Sequence, residues 1–368
     1  MRVLMTTDTL GGVWTYSMEM AAGLLQRGCS VLLISFGPMP STLQREQCEQ
    51  LELRYSGRFQ LQASEIPVEW IENDGAFYKQ GIELLEREAL RFAPDLVHSN
   101  QLCYGALDLP VPRVITAHQD VFARGRARED GTHVLRSPFL TRYRAMAQRG
   151  LEGAEAVVAP TRWMLEELGK PFTLSRNTAI VAHGRSIDAR LQNFRELRAI
   201  ASGRVSDETK GLDTLASIES PMPVVVAGET RPGEEGRVPG FGSARLIGQL
   251  SEAEMFDLLQ HSSLFLSLSH YEPFGMTALE AGLCGCAVVA RNIPSMLEVW
   301  GSAALYFDDA ESLSALLTRL NGDPQVLRDA RESAFRRAQR FTRTRMVEQY
   351  LSLYRRLVTP AERTEYAA

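Results

Sequence analysis

Short apolar runs recur along the chain, each closed by a polar or glycine-bearing corner and separated by amphipathic stretches. Val3-Leu4-Met5-Thr6-Thr7 reads as a buried strand and Asp8-Thr9-Leu10-Gly11-Gly12 as a turn into an amphipathic helix over 16–26. Gly28 then stops the helix, and Val31-Leu32-Leu33-Ile34 gives a second strand. This is a βαβ unit, the opening of a Rossmann-like half. The same alternation returns after a charged helix at 81–92, with strand-like runs in 94–99, 111–120, 154–161 and 180–185, and again in 199–205, 224–229, 245–251, 264–268 and 287–290. Residues 309–357 read as helical with a break at Asn321-Gly322-Asp323-Pro324, and 359–368 as a frayed tail. Strands alternating with helices predict an α/β protein with parallel sheets.

The longest claim on chemistry comes from His270-Tyr271-Glu272-Pro273-Phe274-Gly275-Met276-Thr277-Ala278-Leu279-Glu280-Ala281. It leaves the run Leu264-Phe265-Leu266-Ser267-Leu268, turns on Pro and Gly, and opens a helix, so the amides of Phe274, Gly275, Met276 and Thr277 are set to meet an anion. On a helical path at about 1.5 Å per residue, Glu272 and Glu280 stand roughly 12 Å apart. Glycosidase carboxylates that attack one bond with retention stand only about 5–5.5 Å apart. These two therefore suit the two ends of one elongated ligand. Lys210 reads as a helix opener, a place where a cation costs about 0.3–1 kcal/mol unless an anion faces it. Only three of the 40 basic residues are lysines, Lys79, Lys170 and Lys210. His98 and His118 fall at strand ends, where open α/β sheets collect ligands.

Composition narrows the partners. A chain of 368 residues, 45% hydrophobic and 23% charged, is long enough for two domains. A net charge of -5 argues against nucleic acid. The five cysteines show no metal spacing, Cys284-Gly285-Cys286 being too tight for a zinc half-site, and an odd count suits a reducing cytoplasm. No apolar run approaches the ~20 residues of a membrane span, and a strand starts at once in place of a signal peptide. The expectation is a cytoplasmic protein, with peripheral membrane contact left open. Neither G-x-G-x-x-G nor a P-loop motif occurs. Seven arginines lie in 124–149 among aromatics; they form either a solvated face or, through Arg124, Arg126 and Arg128, a site for an anionic acceptor.

The E-P-F-G-x-x-x-L-E-A pattern at Glu272–Glu280 resembles the signature of retaining, nucleotide-sugar-dependent glycosyltransferases of the GT-B type, family 4. The resemblance covers most of the chain and is strongest in 203–299. It implies two Rossmann-like domains facing across a cleft, at 1–185 for the acceptor and 186–345 for the donor, with a C-terminal helix in 346–368 returning to the first. Gly203-Arg204 and Lys210-Gly211 resemble the segment whose Arg and Lys neutralise the donor diphosphate. Gly12 resembles the family's Gly-Gly approach to that diphosphate, and His118, in Thr-Ala-His-Gln-Asp, the imidazole near the transferred sugar. The resemblance further implies that Leu250 falls beside the nucleobase, Glu272 by the sugar and Glu280 on the ribose. The chain departs from the pattern at His183, where Asn is usual, and at Asn292–Val299, which lacks the usual Gly-Gly. The implied activity is metal-independent transfer of a hexose from a nucleotide-diphosphate sugar, with retention and no cofactor. UDP, GDP and ADP remain open, as does the acceptor, whether small molecule, lipid-linked or glycan. Alternatives are an epimerase of the same fold or a non-catalytic nucleotide-sugar-binding protein.

Overall fold

The computed structural model describes residues 1–71, 75–127, 137–187, 195–228 and 240–358. Two compact units divide the chain. One comprises Met1–Phe122, His133–Gly184 and the segment from Arg343; the other takes Arg185–Thr342 and the segment that begins at Ala123.

The first unit runs β1 (Arg2–Asp8), α1 (Gly12–Gln26), β2 (Ser30–Phe36), α2 (Thr42–Arg54), β3 (Phe59–Ala63), α3 (Ala76–Phe92), β4 (Leu96–Ser99), β5 (Arg113–Thr116), the start of α4 (Val121–Arg126), which passes to the second unit at Ala123, and then α5 (Pro138–Gly153), β6 (Ala156–Ala159), α6 (Arg162–Gly169) and β7 (Thr178–Ile180). The second runs β8 (Glu196–Ser202), β9 (Val224–Ala227), β10 (Arg245–Leu246), α7 (Glu252–Gln260), β11 (Ser262–Ser267), α8 (Met276–Leu283), β12 (Ala287–Arg291), α9 (Pro294–Trp300), β13 (Leu305–Phe307), α10 (Ala310–Gly322) and α11 (Pro324–Ala338). Helix α12 (Arg343–Val358) belongs to the first unit.

Every strand pair is parallel, in the orders β3-β2-β1-β4-β5-β6-β7 and β10-β9-β8-β11-β12-β13. Such strands are covered on both faces, which is why β1, β2 and β11 read as near-continuous apolar runs. The helices start where side chains relieve the orphan N–H groups: Ser41 and Gln44 form a capping box on α2, Thr161 caps α6, and Asp323 with Pro324 opens α11. The capping box expected at Ser251 and Glu254 opens α7. One core lies between the first sheet and α1 and α12, where Met346, Val347, Tyr350 and Tyr354 join Val3, Met5, Tyr16 and Leu24. The second unit has its own, built from Ala199, Val226, Leu264, Leu266, Val289 and Leu317.

Three readings need correction. Helix α1 starts at Gly12, four residues before its apolar periodicity, because its first turn follows Gly11 and has no side-chain cap to announce it. Helix α3 starts at Ala76, five residues early, since Phe77 already packs into the core. The C-terminal helices break a second time at 339–342, where Phe341 leaves the helical path and sets its ring 5.6 Å from that of Phe274. Among the described residues all five cysteines are buried free thiols, and no helix is long and apolar enough to cross a membrane. Arg128, most of the loop 229–242 and the tail 359–368 lie outside the described residues.

Candidate functional site

In an open parallel sheet the loops at the carboxyl ends part where the strand order reverses, and ligands sit there. In the second unit the reversal falls between β8 and β11. The loop after β8 carries Arg204 and Lys210, and the loop after β11 carries Glu272. Lys210 Nζ lies 2.9 Å from Glu272 Oε2, with the two side chains 26% and 20% exposed. The pair is within reach of solvent and of a ligand.

Main-chain contacts hold these loops together. The His270 amide donates to the Thr209 carbonyl at 2.9 Å. Gly211 has φ +63°, and a Cβ there would stand 2.2 Å from the Leu268 carbonyl oxygen, so only glycine lets the loops approach. From α9, the buried Ser295 donates its hydroxyl to the Glu272 carbonyl at 2.6 Å. Lys210 closes a 3-10 turn, Glu208–Lys210, and a second 3-10 segment, Leu212–Ser217, follows Gly211. The helix-start argument for Lys210 therefore fails: the residue sits in a last turn, where a cation is favoured. What the structure gives Lys210 is the contact with Glu272.

Arg204 Nη2 pairs with Asp207 Oδ2 at 3.0 Å, and Arg124 Nη2 with Asp207 Oδ1 at 2.9 Å. Burial alone would raise the Asp207 carboxyl. Arg124, the Thr209 hydroxyl, Arg204 and Lys210 outweigh it and bring the group down to about 2. One carboxylate thus spaces two guanidiniums, and Arg124 falls with the loop of Arg204. Arg126 is exposed.

Gly275, at φ +87°, caps α8 without any side-chain hydrogen bond. Met276 and Thr277 form its half-buried first turn, and the Phe274 ring is buried against Phe341. The path from Glu272 to Glu280 becomes helical only at Met276, so the separation expected from an unbroken helix does not apply. Glu280 Oε1 accepts from Arg185 Nε at 2.9 Å, and Arg185 Nη2 reaches Glu252 at 2.8 Å. Arg185 itself is 92% covered, its guanidinium 5.4 Å from the Phe256 ring centre. Leu250 is half-buried between β10 and the cap of α7.

In the first unit the reversal falls between β1 and β4. Gly12 is exposed as the first residue of α1. His118 follows β5 and is held at both nitrogens, Nε2 at 2.8 Å from Asn100 Oδ1 and Nδ1 at 3.2 Å from His183 Nε2. Tyr16 packs on both rings, at 4.5 and 4.7 Å. Burial lowers the His183 imidazole to about 3 and, helped by His183 and His98, pushes His118 well below the usual histidine range. His98 is a core residue, bonded to Thr116 at 2.7 Å and Tyr354 at 2.5 Å, and burial holds it at about 3.

Sequence reasoning missed Asn100, Asp207, Arg185 and Ser295 as parts of the site. Their only signal is position just after an apolar run or inside a polar loop, which most solvated residues share.

Residues 10–188 match the family model described as Glycosyltransferase Family 4, and residues 242–337 that of Glycosyl transferases group 1. The serotype-specific mannosyltransferase WbdA of Escherichia coli is 24% identical over 160 residues, 41% of this chain and 20% of that one. The chain therefore matches about a fifth of the length of this curated relative. Sucrose-phosphate synthase from Thermosynechococcus elongatus superposes with a TM-score of 0.77 at 17% identity, covering 97% of this chain and 98% of the other. HepE of Anabaena, solved with UDP and glucose, gives 0.71 at 16% identity, covering 96% and 98%.

Proposed function

The chain belongs to the glycosyltransferases of GT-B fold, a family 4 module followed by a group 1 module, and from that premise we propose that it transfers a hexose from a nucleotide-diphosphate sugar with retention and without a metal ion. The observation that carries this reading is the Lys210–Glu272 pair at the strand-order reversal. A departing diphosphate gains negative charge. Lys210, Arg204 and the uncapped amides at the start of α8 supply the compensation that a metal supplies elsewhere, a term commonly worth about 2.7–4 kcal/mol for one donor. Glu272 takes the sugar hydroxyls, Glu280 the ribose, and the loop through Leu250 the base. Arg185 orients Glu280 through Oε1.

Retention follows if the acceptor hydroxyl attacks the anomeric carbon on the face the diphosphate leaves. The bond from that carbon to the acceptor oxygen forms, its bond to the phosphate oxygen breaks, and the hydroxyl proton passes to that phosphate oxygen.

A panel of UDP-, GDP- and ADP-hexoses, scored for thermal shift and slow hydrolysis in EDTA, tests the reading. One donor is expected to stabilise the protein and be hydrolysed undiminished in chelator, and Lys210→Ala to lower kcat by about 10²–10³. Loss of turnover in EDTA restored by a divalent ion overturns metal independence, and a glycosyl adduct on Glu272 overturns the same-face route. Conversion of donor to an epimer with no acceptor present would make the chain an epimerase.

A further inference from the structure

Asn100 fixes the protonation pattern of the histidines beside it. Its amide nitrogen donates to the Thr6 carbonyl at 2.6 Å and to Ser17 Oγ at 3.2 Å, so its oxygen is the acceptor that faces His118. His118 Nε2, 2.8 Å from that oxygen, must carry the proton. A neutral His118 then has only a lone pair at Nδ1, and His183 Nε2, 3.2 Å away, must donate to it. With both rings neutral, any other assignment sets two lone pairs or two N–H groups against each other.

We propose that His183 is a positioning residue that, with Asn100, clamps His118 as its Nε2–H tautomer and occupies the one lone pair with which His118 could accept a proton. The groups that face this pair include Tyr16 of α1 at ring contact, with His98 of β4 and Tyr350 of α12 behind it at 6.2 and 6.3 Å from Tyr16. The imidazole is thereby shaped for contact with a sugar and withdrawn from acid–base work. That agrees with a proton passing to the leaving phosphate, and to this extent the inference rests on the functional reading above. The place where this chain departs from the usual Asn of its family is thus the place where it gains a ring N–H aimed at His118.

Long-range proton–nitrogen spectra of the imidazoles in the full chain test the clamp directly. In the parent, His118 and His183 are each expected as the Nε2–H tautomer, neutral down to pH 5. His183→Ala should give His118 a mixture of tautomers and lower kcat at least tenfold, with donor KM within threefold and the melting temperature little changed. His183→Gln, whose amide N–H reaches the same place, should recover most of both. An Nδ1–H tautomer on His118 in the parent overturns the proposal, as does a His183→Ala protein with the parent's tautomer and kcat. A parent without transfer activity sinks the functional reading, while the spectra still decide the clamp.

Discussion

The hydroxyl of Ser295 and the missing side chain of Gly211 hold the Lys210–Glu272 geometry from beneath. Ser295→Ala removes the 2.6 Å bond to the Glu272 carbonyl and is expected to cost about 1 kcal/mol in chemical denaturation, with a fall in kcat as the turn relaxes. Gly211→Ala drives a methyl toward the Leu268 carbonyl in a left-handed backbone. It should destabilise by about 1–3 kcal/mol and raise donor KM more than Ser295→Ala does, because both loops must part. At this scale the sequence is legible where chemistry demands unusual residues together: Pro, Phe and Gly between two glutamates leave few other readings. It is illegible at Asp207, since Ser206-Asp207-Glu208-Thr209 is composed like any solvated loop. What singles Asp207 out is two guanidiniums arriving from segments 80 residues apart, and only folding reveals that.

Helix α12 shows what an ion pair is worth at the scale of elements. Glu19, on α1, is 2% exposed and takes the Arg343 guanidinium, while Glu348 meets Arg27 with half its side chain in water. Removing one partner of a buried pair leaves the other charge uncompensated, whereas exposed pairs contribute little. Glu19→Ala is therefore expected to cost about 3 kcal/mol in equilibrium denaturation and Glu348→Ala less than about 1 kcal/mol. Central strands were readable because burial on both faces makes them apolar throughout. The edge strands β3, with alternating glutamines, and β13, three residues long, were not, because an edge needs neither length nor an unbroken apolar run.

For the molecule as a whole, buried neutral histidines set the response to acid. His98 and His183 titrate near 3 when folded, against about 6.5 when unfolded, so above pH 6.5 they are neutral in both states and leave stability unaffected. Below it the unfolded chain binds the protons first. Each should then remove up to about 1.4 kcal/mol per pH unit until the folded value is approached. Denaturation midpoints measured from pH 7 to pH 4.5 should fall accordingly, and His98→Gln, if folded, should flatten the slope. The two sheets were legible from the rhythm of apolar runs. The histidine cluster was not, because His98, His118 and His183 come from three strand ends that only the sheet order brings together.

The first unit encloses Met346, Val347, Tyr350 and Tyr354, contributed by the last described helix. On the ribosome, therefore, the half that is made first is finished last. Until the helix that begins at Arg343 has been synthesised, the nascent first sheet lacks the apolar face that covers it, and the later half is the one able to close during elongation.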